Sequence, residues 1–201
     1  MAKKTIITAE EVLPYEKDEV FMVLRDTDIH PVPDGVPVRK ITHHLYAEYR
    51  LLLMHDTVFA LATVTDILME AWGIKEEQLY ADALENSSPG SKTVEWMGDM
   101  LQGLDYHSPA TSVPIVVVSN SVFRYGAASI LDPKVQEQVS RKLECKEWTI
   151  IPSSIHEVLC IPNYIVEDTR NPLGTLITAI NSDVVKDRDV LSNRTYAMTE
   201  H

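Results

Sequence analysis

The chain has 201 residues, 45% of them apolar, and its 30 Asp and Glu against 18 Lys and Arg leave a formal net charge of -12. That apolar fraction can build one substantial core, while the charge disfavours direct nucleic-acid binding and anionic membrane surfaces, since no basic run is longer than a pair such as Arg39-Lys40 or, at the start of the chain, Lys3-Lys4. No apolar run approaches the roughly 18 to 20 residues of a membrane span, residues 1–9 lack the apolar middle of a secretory signal, and the two cysteines have no Cys-x-x-Cys spacing, so a cytoplasmic protein with reduced thiols is expected.

Residues 1–37 read as an acidic, proline-containing lead-in, and 38–201 as a single domain. Residues 45–54 alternate as a strand, with Leu45, Ala47, Tyr49, Leu51 and Leu53 on one face and Glu48 and Arg50 on the other. A turn at His55-Asp56 leads to a second strand over 57–64. Thr65 caps a short helix that Gly73 ends, and a second helix covers about 75–85, with Glu76 and Glu77 complementing its dipole. Val94, Met97, Leu101 and Leu104 have helical spacing. Residues 115–118 are apolar and β-branched, which suits the centre of a sheet. Asp132-Pro133 opens a helix with Val135, Val139 and Leu143 on one face. Residues 147–151 and 158–161 read as paired strands, Leu173, Leu176, Ile177, Ile180 and Val184 as an amphipathic helix, and 195–199 as a closing strand. This order lacks regular β-α alternation. It predicts an α+β fold, a mainly antiparallel or mixed sheet with helices packed on it.

The segment Ile150-Ile151-Pro152-Ser153-Ser154-Ile155-His156-Glu157 gathers the side chains that nucleophilic catalysis needs, because a serine requires a nearby base and the base an orienting acceptor. Ser153, Ser154, His156 and Glu157 are therefore the catalytic candidates. Their closeness in sequence opposes the idea, since residues two or three apart in an extended or turning chain rarely aim at one another. A hairpin turn with hydroxyls satisfying backbone is the expectation. Cys160 falls opposite about Trp148 in such a hairpin, out of bonding reach of Cys145.

Neighbouring His43 and His44 point to opposite faces of an extended chain, and no metal-ligand or phosphate-loop spacing occurs, so no metal or cofactor is expected. Asn120, Arg124 and Tyr125, just beyond the apolar strand, are ligand-pocket candidates. Glu10, Glu11, Glu16, Asp18, Glu19, Asp26 and Asp28 form a candidate acidic surface for a basic protein partner.

Four blocks occur in order: Trp72-Gly73 with Ala83 and Asn86, then Gly126-Ala127-Ala128, Pro152-Ser153-Ser154-x-His156-Glu157, and a C-terminal block with Leu191, Ser192 and Tyr196. Over residues 38–198 the chain resembles a bacterial family of uncharacterised proteins, a domain of unknown function. That resemblance implies no activity. The residues point away from an enzyme and toward a non-catalytic intracellular protein-binding module, an acidic inhibitor or regulator of a basic partner such as a nucleic-acid enzyme. The alternatives are a hydrolase using His156 with Ser153, Ser154 or Glu157, and a structural or oligomeric module.

Overall fold

The computed structural model describes residues 14–55, 58–86, 89–102, 114–166 and 186–199. Two antiparallel sheets and several helices form the α+β fold expected. In the first sheet the long strand β3 (Leu45–His55) carries β1 (Val20–Asp26), β2 (Val38–Lys40) and β4 (Val58–Thr63), all antiparallel to it. The helices α1 (Asp66–Trp72) and α2 (Glu76–Glu85) follow. The second sheet has the order β5-β6-β8-β7-β9, formed by β5 (Lys92–Trp96), β6 (Val116–Asn120), β7 (Glu147–Ser154), β8 (Glu157–Pro162) and β9 (Tyr196–Thr199). Between these strands lie α3 (Met97–Gln102), a 3-10 helix at Gly126–Leu131, α4 (Pro133–Leu143) and α5 (Asn163–Val166). No helix among the described residues is long and apolar enough to cross a membrane.

Strand β1 lies within the segment read from sequence as a lead-in. Residues 20–24 are all buried, so both faces of the strand are covered, and a continuous apolar run of this kind shows no alternation to mark it. Its register is continuous, from Val20 opposite Leu51 to Asp26 opposite Leu45.

The two faces of β3 are also both covered. Glu48 is only 3% exposed, because Arg25 Nε (3.1 Å) and Arg50 Nη2 (2.6 Å) converge on its Oε1. Arg50 Nη1 also donates to Thr63 Oγ1 on β4 at 2.6 Å, so the network joins three strands. Tyr49 and Arg39 both donate to Glu76, which fastens the start of α2 to β3 and β2. Glu76 thus binds across the fold as well as lying at the positive end of a helix.

Local capping follows the sequence closely. Thr65 Oγ1 accepts the Leu68 amide at 3.3 Å, and Gly73 closes α1 at φ 68°. Asp132 accepts the Lys134 amide at 2.9 Å, Pro133 begins α4, and Val135, Val139 and Leu143 are buried.

Three expectations change. Residues 92–96 are strand, not helix: Val94 lies opposite Val118 and faces the core, and helix begins only at Met97. Leu104 and the helix expected over 173–184 lie outside the described residues. Strand β6 is buried throughout but stands one place off centre, because β9 adds beyond β7 and makes β8 the middle strand. Finally, Cys160 lies opposite Ile150, and Trp148 opposite Pro162. The register shifts between Ile151 and Ser154, so the turn falls at Ile155-His156, later than expected. Cys145 and Cys160 are both free thiols, and burial pushes the Cys160 thiol well above its ordinary range.

Candidate functional site

Two polar regions compete for the role of functional site. The first is built around the end of β6. There the Asn120 side chain replaces missing backbone partners: Oδ1 accepts the Val122 amide at 3.2 Å and the Arg124 amide at 3.1 Å, and Nδ2 donates to the Arg124 carbonyl at 2.6 Å. The chain wraps this amide so tightly that Phe123 (φ 51°) and Tyr125 (φ 57°) both adopt the left-handed conformation. Gly126 then passes against β6. A Cβ there would come 2.6 Å from the Asn120 nitrogen and 2.7 Å from the Ser119 carbonyl carbon, so only glycine fits.

The β7–β8 turn packs on this loop. The Tyr125 amide donates to His156 Nδ1 at 3.1 Å, which makes Nδ1 an acceptor and puts the neutral ring's proton on Nε2. Nε2 lies 3.8 Å from Asp189 Oδ1. The Tyr125 ring meets His156 edge-on at 5.4 Å and tilts against Phe21 at 5.7 Å. Ser119 Oγ donates to the His156 carbonyl at 2.9 Å, and the Asp189 carbonyl accepts the Ile155 amide at 2.9 Å.

The four catalytic candidates are thus adjacent without forming a relay. Ser154 Oγ accepts the His156 backbone amide at 3.0 Å, and Ser153 Oγ lies 3.5 Å from Glu157 Oε1. Both hydroxyls are turned to groups other than the imidazole. The partners His156 does have, Tyr125 and Asp189, come from segments that sequence reasoning did not connect to it. Glu157 is held above the usual carboxylate range, chiefly by burial, which outweighs the opposing effects of Ser153 and His156. Of the pocket candidates, Asn120 is buried inside the loop as its organiser, Tyr125 is the bridge to His156, and Arg124 is exposed.

The second region is acidic. Glu10 and Glu11 lie outside the described residues. Glu16 and Asp18 are exposed and Glu19 half-buried, around a 3-10 turn at Lys17–Glu19. Asn86, just past α2, donates through Nδ2 to the carbonyls of Asp18 (2.7 Å) and Val20 (2.6 Å) and so holds that turn against the helix end. The result is an open cleft of about 290 Å³ lined by Asp18, Asp82 and Glu85, with Lys17 as the single cation lining it among the described residues. Asp82 also accepts from Tyr15 and from Gln78. Sequence reading missed Asp82 and Glu85. Their spacing puts them on one helix face, but nothing local links that face to Asp18.

Asp26 and Asp28 belong elsewhere. Asp26 is 1% exposed and cannot be part of an acidic surface: its Oδ2 accepts from Ser192 Oγ at 2.5 Å and from Tyr196 OH at 3.1 Å, and its Oδ1 accepts the Asp28 amide at 2.9 Å. The Tyr196 hydroxyl is pushed up to about 12, by burial first and by Asp26 among lesser causes. Asp28 pairs with Arg194. Asp26, Asp28 and His44 place ligand atoms within 4.8 Å of one another, but donors from 192–196 already hold both carboxylates, so the cluster acts as a clasp between β1 and the C-terminal segment.

No curated protein and no solved structure matches the chain. A family model described as a family of unknown function (DUF5688) matches residues 34–199, most of the chain. The chain therefore belongs to DUF5688, a family of unknown function.

Proposed function

We propose that this protein is a non-catalytic intracellular module that captures a protein partner by a basic face and so inhibits or regulates it, a nucleic-acid enzyme being one such partner. The observation that carries this reading is the open cleft lined by Asp18, Asp82 and Glu85, with Lys17 the one cation lining it among the described residues, in a chain of net charge -12. An acidic field of this kind accelerates encounter with a cationic partner and disfavours anionic ones. The test is affinity capture from the native cells at low and high salt, with wild type and with Asp18→Lys/Glu85→Lys. A partner held at low salt, released at high salt and lost by the double variant is expected. Retention by the double variant at full strength overturns the reading.

The second reading is a hydrolase centred on His156, favoured by the Asp189 carboxylate 3.8 Å from Nε2 and by the burial of Glu157. It predicts hydrolysis of simple esters that His156→Ala abolishes.

A further inference from the structure

We infer that the loop 121–124 is a preformed apolar anchor beside the acidic cleft, and that the partner it fits is a protein whose basic face borders an apolar pocket. The basic face rests on the function proposed above; the anchor is carried by separate observations. Val122 is 48% exposed and Phe123 51%, so two neighbouring large apolar side chains project from one loop tip, and Arg124 beside them is exposed as well. Their presentation is imposed by the fold. Asn120 holds both flanks of the tip through three hydrogen bonds, Tyr125 is tied to His156, and Gly126 is wedged against β6. Phe123 and Tyr125 keep left-handed backbone that neither residue favours, which persists only where the surroundings over-determine it, as at ligand clamps. A rigid loop loses little freedom on binding, and an aromatic side chain entering a pocket is the usual form of an interface anchor.

The tip and the cleft are linked through adjoining residues. Gly90 lies beneath the tip, where a Cβ would come 2.8 Å from Ser121 Oγ and 3.1 Å from Val122 Cγ2. Asn86, which lines the acidic cleft, lines a small cavity together with Gly90, Asn120 and Tyr125. Charge selects the occupant: carboxylates in the cleft oppose an anionic membrane surface and match a basic protein.

The experiment places p-benzoylphenylalanine at position 123 of the full chain and irradiates the native cells. The cross-linked protein is then identified, purified and titrated with wild type, Phe123→Gly, Phe123→Tyr and Asp18→Lys/Glu85→Lys. Glycine keeps the loop conformation and deletes the ring, so loss of binding is not loss of folding. We expect Phe123→Gly to weaken binding by about 30-fold, Phe123→Tyr by less than about threefold, and the charge reversal to weaken it while flattening its salt dependence. Cross-linking confined to lipid or to a second copy, or equal affinity of Phe123→Gly and wild type, overturns the anchor. If Phe123→Gly weakens binding and the charge reversal does not, the anchor stands and the basic-partner reading fails. The opposite pattern removes the anchor and leaves that reading intact.

Discussion

The His156 corner and the acidic cleft are both polar, yet they are built on opposite principles. At the corner almost every group is engaged with another: Asn120 with its own loop, Tyr125 with His156 Nδ1, Ser119 with the His156 carbonyl, Ser154 with the His156 amide. At the cleft three carboxylates and, among the described residues, one lysine line an open space. A satisfied network fixes geometry, and an unbalanced charge field attracts a partner. The comparison teaches that of the residues most suggestive of chemistry, His156 receives the Tyr125 amide and Ser154 the His156 amide, so these two hold turn and loop together. On the function proposed above, side chains with no motif to announce them, Asp82 and Glu85, supply the recognition surface.

This contrast is open to test by stability. If the corner is a closed structural network, disturbing it will be costly, and the largest effect will come from Gly126→Ala. Its new Cβ would press on backbone of β6 at 2.6 Å, which no side-chain rotation relieves. We expect a loss of about 3 kcal/mol in urea unfolding. Asn120→Ala follows, at about 2 kcal/mol, since it strands the Val122 and Arg124 amides and the Arg124 carbonyl together. A loss below about 0.5 kcal/mol in either variant would mean that the loop is not held as described.

How much of this was legible beforehand depended on whether the signal was local. Thr65, Gly73, Asp132 and Pro133 cap helices because capping is chemistry between residues two to four apart, and the caps form as the sequence predicts. Strand β1 was hidden because burial on both faces erases alternation, and β5 because Val94 and Met97 happen to sit at helical spacing across a strand–helix junction. Asp26 looked like surface acid because its partners, Ser192 and Tyr196, lie more than 160 residues away along the chain. The same limit hid the pairing of His156 with Tyr125 and Asp189: the turn was legible, its contacts across the fold were not. The Ser-Ser-x-His-Glu run suggested chemistry by proximity, but Ser154 accepts the His156 backbone amide and Ser153 faces Glu157 rather than the imidazole.

A smaller effect distinguishes burial from ion pairing at Glu157. Its carboxyl is raised in the folded protein relative to the unfolded chain, so the folded state prefers the protonated form. The stability it contributes is therefore fully present below the unfolded value of 4.5 and is lost as pH rises through the higher folded value. Glu157→Gln, neutral throughout, removes this dependence. Urea midpoints of variant and wild type should lie closest near pH 4 and separate in favour of the variant toward pH 7. A gap of opposite sign would place Glu157 in a stabilising ion pair instead.

The smallest effect concerns the loop tip itself. Phe123 adopts φ 51° with its ring half exposed, so the fold carries backbone strain there with little burial to offset it. Left-handed backbone costs a non-glycine residue roughly 1 to 2 kcal/mol. Replacing it by glycine recovers that amount but adds roughly 0.5 to 1 kcal/mol of unfolded-state entropy. The net expectation for Phe123→Gly is a gain of about 0.5 kcal/mol. Asp18→Asn, out in the cleft, should fall within about 0.5 kcal/mol of wild type in either direction. A variant that is more stable yet binds its partner less well is what separates an anchor from a packing residue. A Phe123→Gly protein destabilised by 1 kcal/mol or more would return the loop tip to the structural side of the comparison, alongside Asn120 and Gly126.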